Sequence, residues 1–376
     1  MTHVFVVNEK TFNIHLQYLF AGTGYSDNEP DLMSISGEKY YAENTLTGMI
    51  ADISKVRVGD KVLFYVTGCK KFFGIFEIED SPFFEPYSSN YLGKELDKYL
   101  PFRVKIKPYK VYSRGISEQL ALDDISTINR PYEMCWSMIY RKLTGMRGCS
   151  FVTDSEMERL EELLSFANES NYLSGENYYY DNDKQQIIVS TIINNYSAPT
   201  NIPLTIDTRL HNVRNSHENH LQAFITQNFD RNQTLKSKLF PNSATRIWIG
   251  NEVVCSVGEK RIDILTIAET DKDLVVRIIE LKDERPTAGI LKWQLPWYIK
   301  WVDQYLVPGL LSKKKNVIII PTIFAYPYSR NTKIKREFDS KIIEFNEEKQ
   351  KLVNNGEIRD IECFYFDRTA FPIKIY

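Results

Sequence analysis

Asp263, Glu280 and Lys282 stand inside two strand-like apolar runs in the second half of the chain. The first run reads Arg261-Ile262-Asp263-Ile264-Leu265 and the second Val275-Val276-Arg277-Ile278-Ile279-Glu280-Leu281-Lys282. Side chains alternate across a strand, so Glu280 and Lys282 project from one face while Ile279 and Leu281 pack on the other. The intervening Asp271 to Asp273 is turn chemistry that folds the two runs into a hairpin and brings Asp263 alongside Glu280. Two carboxylates and a lysine then converge on one point. Phosphodiester hydrolysis can use that set: Asp263 and Glu280 hold Mg²⁺, which favours oxygen ligands, and Lys282 orients or activates the attacking water. The same residues also suit an edge-strand salt bridge, so flanking elements must decide.

Upstream, Glu218 opens an amphipathic segment, Leu221-Gln222-Ala223-Phe224-Ile225, whose apolar spacing predicts a helix packed on the sheet. Downstream, Gln294 and Tyr298 lie four residues apart in Trp293-Gln294-Leu295-Pro296-Trp297-Tyr298, hence on one helix face if the helix accepts Pro296 near its start. Asp263 with Glu280-Leu281-Lys282 resembles the core motif of the PD-(D/E)xK nuclease superfamily, and Gln294 with Tyr298 resembles the Gln-x-x-x-Tyr element of its RecB-like members. A Glu-bearing helix, an Asp strand, ExK and Gln-x-x-x-Tyr follow in the order found in the mismatch and flap endonucleases of archaea and actinobacteria. The resemblance covers residues 215–325. It implies a Mg²⁺ site at Asp263 and Glu280, with Lys282 placing water and Glu218, Gln294 and Tyr298 completing or orienting the centre.

At 376 residues the chain exceeds the size at which one core usually stops growing, which predicts two domains. The hydrophobic fraction of 43% is ordinary for a globular protein. There is no apolar run of about 18 residues and no basic-then-apolar leader, so a cytoplasmic protein without a membrane segment is expected. Five scattered cysteines fit reduced thiols better than a disulfide framework, and no CxxC or His cluster offers a zinc site. A net charge of −2 removes the simplest argument for nucleic acid, a strongly basic surface, but leaves room for local basic patches around an acidic metal centre.

The first half reads as β-rich: residues 4–7, 60–66, 72–78 and 102–106 are apolar or alternating runs bounded by Gly, Pro, Asp and Lys. Residues 154–166 have helical periodicity with an Asp or Ser cap. The chain then turns polar and aromatic. Three segments are therefore expected: a domain over 1–166, a linker with accessory elements over 167–210, and the catalytic domain over 211–376.

The order Val4-Phe5-Val6-Val7-Asn8, Val58-Gly59-Asp60-Lys61-Val62-Leu63-Phe64-Tyr65, Phe73-Gly74-Ile75-Phe76-Glu77-Ile78 resembles the EVE domain of the PUA-like superfamily, close kin to the YTH domain. The likeness extends to Asp97-Lys98-Tyr99-Leu100-Pro101-Phe102 and covers residues 1–165. It implies a small β-barrel with flanking helices that holds one flipped base in an aromatic pocket. Extruding a base costs a few kcal/mol, and stacking returns roughly 1–3 kcal/mol per ring contact. Tyr99 matches a cage position and is placed at the barrel rim; Phe20, Tyr65 and Trp136 are further ring candidates, with Asn8 beside them. Lys70, Lys71, Arg114 and Arg147 are the phosphate candidates, the first two at a hairpin tip and the last in a glycine-containing loop.

The fold expected is thus a two-domain α+β and α/β chain, a PUA-like barrel followed by a mixed-sheet, restriction-endonuclease-like core. Fusing a base reader to a Mg²⁺ nuclease suits cutting of double-stranded DNA that carries modified bases, resembling type IV restriction endonucleases, and cutting both strands calls for a homodimer. Two rivals stay open: a repair or structure-specific nuclease, and a non-enzymatic RNA or DNA reader.

Overall fold

The computed structural model describes residues 1–24, 38–86, 88–122, 135, 148–199, 201–204, 218–255, 260–313, 315–328, 330–367 and 374–376. The chain forms two compact units, Met1–Leu204 and Thr205–Tyr376.

In the first unit the strands are β1 (Thr2–Val7), β2 (Phe20–Thr23), β3 (Lys61–Val66), β4 (Lys71–Ile78), β5 (Phe83–Phe84), β6 (Phe102–Pro108), β7 (Ile116–Ser117), β8 (Cys149–Val152), β9 (Tyr178–Asp181), β10 (Gln186–Val189) and β11 (Ile202–Pro203). The main sheet runs β11-β5-β6-β4-β3-β1-β8, with β2 added to β6 and β7 to β4. Strand β6 is the pivot. Its first residues pair with β2 and β5, its last with β4, and this sharing curls the sheet into a half-barrel.

Helix α1 (Glu9–Tyr18) starts at Asn8, whose side chain accepts from the Thr11 amide while Thr11 Oγ1 accepts from the Asn8 amide. That reciprocal cap gives the helix its start. Helices α2 (Glu38–Ser54), α3 (Gly93–Leu96), α4 (Glu118–Leu122) and α5 (Asp154–Ala167) follow. The cap of α5 is Thr153, paired with Glu156, rather than the Asp or Ser expected, because the box needs a Glu three residues on. Leu160 and Leu164 of α5 join Val4, Leu63, Tyr65 and Phe72 in one core. A second, aromatic layer gathers Phe12, Phe64, Phe73 and Phe76 under α1.

Residues 167–204, part of the 167–210 segment expected to hold a linker with accessory elements, belong to the first unit. The reason is a period of two: Tyr178 and Tyr180 of β9 are buried while Tyr179 between them is exposed. The buried pair packs on Phe76, Phe12 and Phe73. A tyrosine-rich, polar-looking stretch thereby supplies a half-buried hairpin.

The second unit holds α6 (Glu218–Asn228), α7 (Gln233–Leu239), β12 (Arg246–Val254), β13 (Arg261–Glu269), β14 (Asp273–Leu281), a π-helical turn (Ile290–Gln294), α8 (Leu295–Trp301), a second π turn (Val302–Leu306), α9 (Val307–Leu311), β15 (Asn316–Ala325), α10 (Lys333–Glu348), β16 (Glu357–Ile358), β17 (Glu362–Asp367) and β18 (Lys374–Ile375). The sheet is mixed: β12, β13 and β14 form an antiparallel meander, and β15 lies parallel to both β14 and β17. The parallel step from β14 to β15 needs a crossover, which the helices of residues 290–311 provide. Every residue of β14 after Asp273 is buried. Both of its faces are covered, as for a central strand next to a parallel partner. No described helix is long and apolar enough to cross a membrane.

Candidate functional site

In the second unit the β13–β14 register runs from Ile264↔Ile279 to Glu269↔Leu274, so Asp263 and Glu280 are the next residues on facing strands. The ladder stops there, and the Leu281 amide donates to Asp263 Oδ2 at 2.7 Å instead. Glu252 falls in the same row on β12, between the pairs Asn251↔Ile264 and Val253↔Ile262. Its backbone is left-handed, with φ 52°, which accounts for the gap in pairing. Three carboxylates therefore line up across three neighbouring strands.

Lys282 follows directly on β14. Its Nζ donates to Glu218 Oε1 at 2.8 Å and to the Leu281 carbonyl at 2.7 Å, and lies 2.8 Å from Glu280 Oε1. Glu218 reaches it from the first turn of α6. One turn further along α6, Gln222 donates from Nε2 to the Asp263 carbonyl at 2.9 Å and to Glu252 Oε1 at 3.2 Å. Glu252 also accepts from Arg261 Nη1 at 3.1 Å. Gln222 and Glu252 were not singled out from sequence. The i, i+4 spacing from Glu218 was the available signal for Gln222, whereas Glu252 depends on a strand register.

Gln294 ends the first π turn and Tyr298 lies in α8, with Pro296 between them in the first turn of α8. Proline lacks an amide proton and crowds the carbonyl four residues before it, so the wider π turn is the local answer to its presence. Both side chains face the Glu280 region: Gln294 bonds toward the Glu280 carboxylate, and Glu280 and Asp263 act on the Tyr298 hydroxyl.

Burial sets the electrostatics here. It raises the Asp263 carboxyl well above the usual carboxylate range, Glu280 adds to the shift, and the Leu281 amide opposes it. Burial also raises Glu280, which is 1% exposed, against the pull of Lys282. Burial alone lowers the Lys282 ammonium, but Glu280 and Glu218 together lift it above its ordinary value. Glu280 Oε2 is buried without a hydrogen-bond partner among the described residues. No group of three or more His, Cys, Asp and Glu poised to hold a metal is found among the described residues.

The first unit treats its nominated rings differently. Tyr99 is 2% exposed, and its hydroxyl donates to the Glu85 carbonyl at 2.6 Å. It is therefore inside the unit rather than at a rim, because the segment before β6 folds under β5. Tyr65 belongs to the core beneath α5 and donates to Glu118. Phe20 belongs to another cluster, with Leu92, Leu96 and Leu100. The structure thus does not bring Phe20 and Tyr65 together as walls of one cage. Asn8 is occupied as the α1 cap.

Lys70 and Arg114 are exposed, and Lys71 donates to Gln185 at 2.7 Å. Arg114 bridges to Gln186, so the β9–β10 hairpin stands beside both Lys71 and Arg114. Trp136 and Arg147 lie outside the described residues.

A site not anticipated from sequence surrounds Arg103 on β6. This side chain is fully buried, its Nε donating to the Leu100 carbonyl at 2.7 Å and its Nη1 to the Tyr196 hydroxyl at 3.0 Å. Its guanidinium lies 5.2 Å from the Phe20 ring centroid, a cation–π arrangement. In Phe102-Arg103-Val104-Lys105-Ile106 two cations alternate with apolar residues, and the sequence alone does not tell the buried Arg103 from the half-buried Lys105.

A family model of the EVE domain matches residues 38–162, within the first unit. The match spans α2 to most of α5 and lies between β1 and β2 on one side and β9, β10 and β11 on the other. The EVE domain is PUA-like, and the curled half-barrel sheet agrees with that fold. No curated protein matches the chain.

Proposed function

We propose that the protein is a modification-dependent DNA endonuclease, its EVE-domain unit reading a base and its second unit hydrolysing a phosphodiester. The observation that carries the catalytic half is the convergence of Asp263, Glu280, Lys282 and Glu218 at the ends of β13 and β14, with Gln294 and Tyr298 turned toward it. The nucleic-acid half rests on the EVE match.

The residues fit a divalent cation. Burial raises both carboxyls' affinity for protons, Glu280 raises that of Asp263 further, and one Glu280 oxygen has no partner among the described residues. Mg²⁺ commonly binds through one or two carboxylates and keeps several waters, so Asp263 and Glu280 suffice as its protein ligands. When bound it would polarise the phosphoryl oxygen and acidify a water. Lys282 holds Glu280 in place and presents an ammonium beside the reacting phosphate. Glu218 anchors that ammonium from the opposite side. Gln222 fixes the strand carrying Asp263, and Gln294 and Tyr298 close the cluster from the crossover helix. Cleavage of both strands calls for two such centres and hence a homodimer.

A purely structural role for the second unit has one observation in its favour: the Lys282 ammonium is already engaged by two carboxylates and a carbonyl. Incubation of the protein and Mg²⁺ with matched methylated and unmethylated plasmids separates the readings. Linearisation of the methylated plasmid alone is the expected result. Equal cutting of both would indicate a repair or structure-specific nuclease, and binding without cutting would indicate a reader.

A further inference from the structure

We infer that Tyr196 is an intramolecular stand-in for a nucleobase, occupying a pocket in the first unit whose walls are Phe20, Phe83 and Tyr91 and whose polar floor is Arg103 and Glu85. The inference rests on the nucleic-acid reading of that unit and names the class of base it would take: one with an exocyclic amino group beside a ring-nitrogen or carbonyl acceptor.

The Tyr196 ring is enclosed by aromatic side chains, tilted against Phe20 and edge-on to Phe83 and Tyr91. Its centroid is 5.1 Å from Phe20, 5.8 Å from Phe83 and 5.0 Å from Tyr91. Its hydroxyl accepts from the buried Arg103 Nη1 at 3.0 Å. Burial pushes that hydroxyl up to about 12, with Arg103 pulling the other way, so it remains a neutral phenol.

A phenol leaves the floor half used. Arg103 Nη2 and Glu85 Oε2 are both buried without a hydrogen-bond partner among the described residues. Glu85 Oε1, in contrast, accepts from Ser89 and from the Tyr91 amide. Leaving a buried donor and a buried acceptor without partners is unfavourable. A base can use both, since guanidinium recognises adjacent acceptors on a base edge and a carboxylate accepts from an amino group. Thymine and uracil lack the amino group.

The tyrosine also arrives on a removable segment. Residues 190–199 are half-buried or exposed throughout. The segment is held by Asn177 donating to the Asn194 carbonyl at 3.0 Å, by Ser197 against the Tyr91 hydroxyl, and by the two-residue pairing of β11 with β5. Few bonds have to break for the ring to leave.

The test uses the full chain and two single-stranded oligonucleotides identical but for one central cytosine or thymine, with binding read by fluorescence anisotropy. Tyr196→Ala should raise affinity for the cytosine strand about tenfold, the worth of one stacking site freed, and change the thymine strand less than about twofold. Adding Glu85→Gln should erase that difference. Tyr196→Phe, which keeps the packing and removes the bond to Arg103, should raise cytosine binding by a smaller factor and keeps the question open to an answer if the alanine variant does not fold. Unchanged or weaker cytosine binding by a folded Tyr196→Ala, or by Tyr196→Phe where the alanine variant is unfolded, would overturn the inference. If the parent binds both strands and the variants bind them equally, only the stand-in role falls. If neither parent nor variants bind any strand, the nucleic-acid reading of the unit falls with it.

Discussion

Lys282 and Arg103 are both withdrawn from water, yet they are accommodated by opposite means. Lys282 is bracketed by Glu218 and Glu280, with the Asp263 carboxyl in the adjoining strand, so carboxyl groups outnumber the cation. Arg103 has no carboxylate within ion-pair distance among the described residues; it lies over the Phe20 ring and donates to a phenol and a carbonyl. Burying a charge is costly unless it is paired or hydrogen-bonded. The second unit meets that cost with counter-charge and the first with aromatic faces and dipoles.

The largest expected effect tests the surplus of carboxyl groups. Asp263→Asn keeps an acceptor for the Leu281 amide and removes a carboxylate whose ionisation burial opposes, so the melting temperature should hold or rise. Mg²⁺-dependent plasmid cleavage should nevertheless fall at least about a hundredfold, the scale of losing a group that stabilises transition-state charge. Lys282→Ala should abolish cleavage too, but with a stability loss of about 3 kcal/mol, the low end for breaking a buried pair, since its side chain is 19% exposed. Cleavage retained in both would remove the catalytic side of the comparison.

The aromatic side can be probed by acid. His15 is buried against Phe20 and Phe64, and burial lowers its pKa from 6.5 to about 3. The unfolded chain therefore binds the proton first, and below pH 6.5 the first unit should lose about 1.4 kcal/mol per pH unit until about pH 3. Urea titrations at several pH values measure the slope, and His15→Leu should remove that share of it. An unchanged slope in the variant would assign the acid sensitivity elsewhere.

Gln222→Leu sharpens the contrast at an intermediate scale. It removes the bonds to Asp263 and Glu252 and should cost about 1–3 kcal/mol by thermal denaturation, the penalty for buried acceptors left unpaired. Smallest is Tyr99→Phe, which loses one hydroxyl bond to the Glu85 carbonyl. About 1 kcal/mol of stability should go, with no change in preference between bases. A changed preference would return Tyr99 to the base site.

The legibility of the two sites differed for a physical reason. Asp263, Glu280 and Lys282 are brought together by one hairpin with turn residues between its arms, a relation written locally, whereas Glu218 reaches Lys282 across 64 residues of sequence. Arg103 meets Tyr196 through pairings of β6 with β5 and of β5 with β11, and a sequence pattern does not state which distant strands share an edge. Tyr99 shows the same limit: its position before β6 suggested a rim, but its burial depends on Glu85, brought over it by β5. The EVE-like order of β3, β4 and β6 was readable because each run is apolar and bounded by Gly or charged turns. The β9–β10 hairpin was not, because tyrosine carries both polar and apolar character and only its alternation betrays a face.

The pairing of β11 with β5 sets a timetable. Phe84 leaves the ribosome well before Tyr196, and at roughly 5–20 residues per second the wait is on the order of ten seconds. Strands β2, β5 and β6 can have met around Arg103 by then, so the tyrosine enters a pocket already built. Removing a contact that is absent from the folding transition state speeds unfolding and leaves folding nearly unchanged. Tyr196→Ala should accordingly leave the refolding rate of the first unit nearly unchanged and speed its unfolding, the signature of a latch rather than a nucleus.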